Sequence, residues 1–463
     1  MRHARQSTGM NSAARSPTPS PRVHVAIHLV AGGVLMAASF LVAHSPDLDL
    51  YWLFLKWPLF IGGMTFGAAA ACYRFRPIAR LTSGLCVAVV ALFVACSAAE
   101  GLFRLIGYDF RHQEADWRSL PPFFRRPLVP MAGAFFRRSG PEDWTGQVIK
   151  TYAKYLRMPT DPYDDEPVVS VHYDQFGFRN VPRPAKWEIA VAGDSFTELG
   201  HLRQDQLFTT ILGQRLNRGV LNLGVSYTGP LSYLAFLSDY GVCETLHDVV
   251  AVFYEGNDIE DVTREYTDLR RYELTGQREQ FQFHKQTSML RGLGEMFRRE
   301  RVGTLPGPPV ISYFESRSGK VPMTLGPAPL SRSDLTGKNR EALEYFFEHY
   351  AAFGKEHHVR TWLAYMPSKK RVLFDQVQFT AEASERVRNW TPSDLPQEIM
   401  ADCARHGVGF IDLTEVLVEQ TKKTGELMFN ARYDLHLNAL GALVVADELA
   451  KQLGPTQPSV LEK

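Results

Sequence analysis

The chain has 463 residues, 45% hydrophobic and 22% charged, with a formal net charge of +1. That length allows a large core plus accessory regions, and the balanced charge gives no global attraction for nucleic acid. Five scattered cysteines exclude a disulfide framework, and no cysteine or histidine cluster has zinc-ligand spacing, so neither a metal nor a cofactor is expected. Residues 1–22, rich in Ser, Pro and Arg, read as a disordered tail. Three apolar stretches follow, at about 23–43, 51–72 and 81–99, each of the length that spans a hydrocarbon core. Buried soluble helices or a cleaved signal peptide are the alternatives; three stretches in succession argue against a single signal peptide. His24 and His28 interrupt the first stretch, and Lys56 lies near the start of the second, where its stem can snorkel. Arg2, Arg5, Arg15 and Arg22 precede the first stretch, the loop 45–49 has no basic residue, and Arg74, Arg76 and Arg80 occupy the next loop. By the positive-inside rule the tail and second loop are cytoplasmic, and everything after residue 100 is periplasmic or extracellular. The expectation is an integral protein of the cytoplasmic membrane, with the lipid bilayer as a partner.

Residues 100–169 form a connector. It carries Phe123-Phe124-Arg125-Arg126 and a near copy, Phe135-Phe136-Arg137-Arg138. These pairs suit lipid head groups, or equally an ordinary loop packing its Phe residues on the following domain. That domain is expected over 170–455, with a tail at 456–463. Apolar runs of strand length lie at 188–192, 220–223, 249–254, 361–366 and 409–413, and helical patterns at 206–217, 339–357 and 439–453. Alternation of this kind predicts a parallel sheet covered on both faces. An insertion at 260–338, charged early and rich in Pro and Gly later, follows the third run, so it emerges at the carboxyl edge of that sheet and reads as a lid, a substrate platform or a partly disordered loop. Cys243 and Cys403 are the cysteines outside the apolar stretches; nothing in their spacing says that they pair.

The first run continues into Gly193-Asp194-Ser195, a tight turn that delivers Ser195 to the carboxyl edge of the sheet. Ser195 is a nucleophile only if a base reaches it; otherwise it caps a helix. Three further stretches supply the context: Asn222-Leu223-Gly224-Val225-Ser226, Tyr254-Glu255-Gly256-Asn257-Asp258 and Tyr433-Asp434-Leu435-His436-Leu437-Asn438. Ser195, Gly224, Asn257 and His436, in that order, resemble the blocks of the SGNH (GDSL-type) hydrolase superfamily, and the spacing of Asp434 from His436 resembles its membrane-linked acyl-transferring members. The Gly-x-Ser-x-Gly elbow of the α/β-hydrolases is absent, because position 197 is Thr.

The resemblance implies an α/β, flavodoxin-like three-layer αβα sandwich with a five-stranded parallel sheet. It implies Ser195 as nucleophile, His436 as base, Asp434 as the acid that orients it, and an oxyanion hole from the Ser195 and Gly224 N–H groups and the Asn257 amide. Asp194 and Asp258 are read as capping or bracing residues, and Asp412 as a less suitable acid than Asp434. His201, His247, His284, His349, His357, His358 and His406 match no block and read as surface or packing residues. Asn438 and Gly441 resemble the end of the histidine block, and Asp174-Gln175-Phe176-Gly177-Phe178-Arg179 resembles a structural lead-in to the serine block. Met366-Pro367-Ser368-Lys369-Lys370 resembles a Pro-x-Lys segment of related envelope proteins; Lys369 is expected in solvent, with contact to an anionic substrate as the alternative. The expected activity is a membrane-anchored esterase or O-acyltransferase acting on an ester or acylated envelope glycan or lipid. The rivals are a non-catalytic glycan-binding protein of the same fold and a lipid-directed esterase or lipase.

Overall fold

The computed structural model describes residues 21–44, scattered positions between 60 and 106, and 120–278 and 310–454 apart from 128, 157 and 382. The chain forms two compact units, 1–111 with 286–298 and 112–285 with 299–463. In the first unit, α1 (Pro21–His44) covers the first expected span. Its Ala31 and Leu35 share a buried cluster with Phe66. Taken over the described residues alone, no helix is long and apolar enough to cross a membrane. The expected spans therefore gain no support here; the second and third lie largely outside the described residues, as do 1–20 and 455–463 of the expected tails.

The second unit is built on five parallel strands. After a 3-10 turn (Pro122–Phe124) and a short antiparallel pair (Val129–Pro130 with Phe136–Arg137), its main elements in chain order start with β1 (Glu142–Gly146), α2 (Val148–Tyr155) and β2 (Val169–Tyr173). Next come β3 (Ile189–Gly193), α3 (Ser195–Glu198), α4 (Phe208–Leu216), β4 (Val220–Gly224) and α5 (Pro230–Phe236). They are followed by β5 (Asp248–Tyr254), α6 (Asp258–Thr275), β6 (Ser312–Ser316), β7 (Gly319–Met323) and α7 (Lys338–His357). The last are β8 (Arg360–Met366), α8 (Lys369–Leu373), β9 (Val377–Phe379), α9 (Leu395–His406), β10 (Gly409–Asp412), α10 (Thr414–Thr424) and α11 (Ala439–Leu453).

The sheet order is β10-β8-β5-β3-β4, with every pairing parallel. This is the flavodoxin-like order, and it places the switch point between β3 and β5, where the carboxyl ends leave a crevice. Consecutive strand residues enter opposite cores. Ile189, Val191, Val250 and Val252 join the core covered by α4, α10 and α11, whereas Ala190, Ala192, Val249 and Ala251 join the core covered by α5, α7 and α9. Strands buried on both faces need the unbroken apolar runs seen in the sequence. The observed strands and helices depart from the expected bounds by a residue or two.

Two regions carry regular structure that the sequence patterns do not specify. The connector is folded: β1 and β2 pair antiparallel, and Phe123, Val148, Val169, Val171 and Tyr173 make a core of their own. The insertion opens as the regular helix α6, whose Ile259 and Val262 are buried in the main core. Its later part supplies the β6–β7 hairpin, which pairs with β9, while 279–309 lie outside the described residues. Cys243 and Cys403 are both free.

Candidate active site

β3 ends at Gly193, and the chain turns at once into α3. Asp194 caps this helix, its Oδ1 accepting from Phe196 N at 2.8 Å. Gly193 is needed for space: a Cβ there would lie 2.1 Å from Thr197 Oγ1 and 3.1 Å from Val252 Cβ. The turn holds Ser195 half-buried at the carboxyl edge. Among the described residues its N–H makes no hydrogen bond, while the next three N–H groups bond to Asp194.

Ser195 and His436 are 241 residues apart in sequence, and Ser195 Oγ lies 3.0 Å from His436 Nε2. On the other side of the ring, His436 Nδ1 lies 3.2 Å from Asp434 Oδ2. With Nδ1–H donating to Asp434, Nε2 is left to accept from the serine hydroxyl. The turn around Asp434 fixes this geometry. Asp434 Oδ1 accepts from His436 N at 2.9 Å and from Asn430 Nδ2 at 2.7 Å. Just beyond it, Asn438 caps α11 by accepting from Gly441 N at 2.9 Å.

Burial alone would depress the His436 imidazole; the Asp434 carboxylate beside it, aided by Asp194 and Glu198, outweighs burial and raises it above its ordinary 6.5. Burial likewise opposes ionisation of Asp434, but the imidazole's charge and hydrogen bond hold its carboxyl well below the usual range. Asp194 is pushed up to about 6, mainly by burial. Asp258, buried beneath the site, accepts from Tyr254 N and Tyr233 Oη, in keeping with a bracing role.

A pocket of about 240 Å³ opens over these groups, lined by Ser195, His436, Asn257, Phe123, Phe124, Arg126, Ser226, Tyr227, Asp261 and Arg264. Asn257 is thus at the site, with its Nδ2 donating to Asp261 Oδ2 at 2.6 Å. Gly224 is not. Its N–H donates to Asn222 Oδ1 at 2.8 Å, and a Cβ on it would come within 2.3 Å of Glu198 N. A close backbone approach does occur at Gly224, but its partner is the helix that begins at Ser195. Tyr227, three residues on, lines the pocket instead, at a φ of 67° that few non-glycine residues adopt.

Several supporting groups lie outside the motif blocks, His201 among them as one of the two alternatives open to it, a packing residue. His201 is buried, its Nε2–H donating to Leu437 O at 2.9 Å, and burial lowers it to about 4, so it stands neutral behind His436. Glu198, fully buried, accepts from Arg138 Nη2 at 2.9 Å, from Tyr173 Oη at 2.6 Å and from Ser226 N. Arg179 is also buried and donates to Leu199 O and Leu202 O, bracing the end of α3. Phe123 packs edge-on to His436, ring centroids 5.0 Å apart. The two Phe-Phe-Arg-Arg repeats were the available signal. Phe123 and Arg138 are buried in the domain, which removes them from any lipid surface, while Phe124 and Arg126 line the pocket. Lys369, expected in solvent, is 1% exposed.

Residues 337–463 match the family model described as the SGNH hydrolase-like domain of acetyltransferase AlgX. The match covers the part of the chain that holds Asp434 and His436 but not Ser195, and it supports the SGNH-type hydrolase superfamily that the sequence blocks resemble. Solved structures that it resembles include a putative lipolytic protein of the G-D-S-L family from Desulfitobacterium hafniense DCB-2, at 12% identity, covering 57% of this chain and 98% of that one with a TM-score of 0.28. A mutant of Axe2, an acetyl-xylooligosaccharide esterase from Geobacillus Stearmophilus, matches at 11% identity over 58% of this chain and 94% of its own, with a TM-score of 0.29. No curated protein is detectably similar to the chain. The family match supports an esterase or acyltransferase in general terms.

Proposed function

We infer that this protein is a serine esterase or O-acyltransferase that works through an acyl-enzyme on Ser195. The observation that carries the reading is the 3.0 Å contact of Ser195 Oγ with His436 Nε2, backed by Asp434 on Nδ1, in a pocket open to substrate. In the first step His436 takes the serine proton as Oγ bonds to the ester carbonyl carbon. The carbonyl oxygen becomes an oxyanion; the Ser195 N–H is the first donor in this reading, and the Asn257 amide joins it by turning away from Asp261, its present acceptor. Collapse expels the alcohol, protonated by His436, and leaves the acyl group on Ser195. A water then gives hydrolysis; a sugar hydroxyl gives transfer. Asp434 holds the imidazole in the tautomer that each proton movement needs.

An envelope glycan or lipid ester as substrate, and a membrane anchor with the domain outside the cytoplasm, are supported by the apolar stretches at 23–43, 51–72 and 81–99 and their flanking arginines. A fluorophosphonate probe should label the wild-type protein and leave Ser195→Ala unlabelled. An unlabelled wild type would favour the glycan-binding reading, and labelling that survives Ser195→Ala would remove Ser195 as nucleophile. For the anchor, an alkaline phosphatase reporter fused after Pro159 should be active, since it works only after export; an inactive fusion would place the domain in the cytoplasm.

A further inference from the structure

Lys369 is a buried lysine that is not among the residues lining the pocket. It opens α8, one residue after the Ser368 cap. Its Nζ donates to Asn430 O at 2.8 Å and to Asp434 O at 2.9 Å, the two ends of the turn that carries the triad acid. Burying an ammonium on a flexible stem is unfavourable unless its donors are used, and here two of three are accounted for. The base of the side chain is pinned as well. Glu255, just past β5, accepts from Ser368 N at 2.9 Å and from Arg371 Nε at 2.6 Å. A continuous line of bonds therefore runs from the carboxyl edge of the sheet through Lys369 to the turn holding Asp434 and His436. That turn has reason to need a clamp, because Arg432 within it sits at φ 60°, a strained conformation for a residue with a side chain.

We propose that Lys369 is a positioning residue, whose ammonium ties the 430–436 turn to the sheet edge and so sets the distance from His436 to Ser195. The proposal rests on the triad reading above and deepens it. The charged group that faces the ammonium is Asp434, and burial, only partly offset by that carboxylate, lowers the amine to about 7. The lysine does not line the pocket, so its loss acts on turnover rather than on substrate capture.

Lys369→Met keeps the apolar stem and removes the donors. In the full-length protein it should lower kcat on a short chromogenic ester by on the order of 10²-fold, the cost of a small misplacement of reacting groups, with KM within about twofold. Lys369→Arg, which keeps charge and donors, should recover at least about tenfold over Met. The second readout needs no turnover: the titration of His436, followed by its ring NMR signals. Loss of position moves it down toward 6.5 as the imidazole drifts from Asp434, whereas loss of a nearby positive charge alone moves it up. A fall in kcat with the downward movement supports the proposal. Unchanged kcat, a rise confined to KM, or an upward movement overturns it. If Lys369→Met does not fold, Lys369→Gln is measured in the same way, and failure of both to fold overturns the proposal by making the lysine a folding requirement. An inactive, unlabelled wild type whose His436 still titrates downward in Lys369→Met would refute the enzyme reading and leave the clamp standing.

Discussion

Ser195, Asn257 and His436 each stand within three residues of a strand or helix end. Phe123, Phe124 and Arg126, which line the same pocket, stand on a single 3-10 turn, Pro122–Phe124, and the loop after it. The first group is placed by the sheet, whose register aligns Gly193 with Gly224 and with Val252. The second is placed by ion pairing and ring packing: Arg138 Nη1 holds the carbonyls of Pro122 and Arg125, its Nη2 reaches Glu198, and Phe123 leans on His436. Backbone geometry positions the reacting groups, and a few buried side chains position the wall over them. The two regions should therefore fail in different ways when altered.

The largest expected effect belongs to the sheet edge. Ser195→Ala should reduce ester turnover by about 10³- to 10⁶-fold, the range seen when a triad member is removed, while the thermal midpoint stays put. Near-normal turnover would remove the nucleophile and erase the distinction between the two regions.

The wall should respond in the opposite sense, through stability. Arg138→Met removes the only cation in a salt bridge with Glu198 among the described residues; Tyr173 and Ser226 N donate to it without neutralising it, and the buried Arg179 acts on it only at longer range. Breaking a buried pair in this way costs about 3–5 kcal/mol, measurable by chemical denaturation. A change under about 1 kcal/mol would mean that the pair contributes as little as an exposed one.

The smallest effect is in pH dependence. His436 must be neutral to accept the serine proton, and its imidazole is raised above 6.5, so kcat/KM should fall with decreasing pH through a midpoint above 6.5. Asp434→Asn removes the strongest raising influence and should move that midpoint down, whereas Arg138→Met should move it little. A midpoint unmoved by Asp434→Asn would detach the acid from the base.

Legibility in the sequence followed the same division. The five strands were visible because both faces of each are buried, and Ser195, Asn257, Asp434 and His436 were visible because each lies in a short block tied to a strand or helix end. Gly224 was identified as a place of close approach, yet which backbone approaches it depends on α3 packing against β4, which no local pattern encodes. Lys369 read as solvated because a lysine after a strand usually is; its acceptors are the carbonyls of Asn430 and Asp434, more than sixty residues away. The sequence leaves the Phe-Phe-Arg-Arg pairs of the connector open between lipid head groups and packing on the domain, because Phe-Phe-Arg-Arg has neither a period of 2 nor one of 3.6 and its arginines find their partners only in the tertiary fold.

The bond between Arg138 and Glu198 spans 60 residues and joins the connector to the helix that starts at the nucleophile. A polypeptide beginning at residue 170 would contain Ser195, Asn257, Asp434 and His436 and would still lack the Arg138 salt bridge to Glu198 and the Phe123 ring beside His436. Its four blocks would be intact and its pocket would have one side. The shortest fragment worth expressing therefore starts ahead of Pro122, so that the segment that looks like a linker supplies Phe123 and Arg138 to the rest.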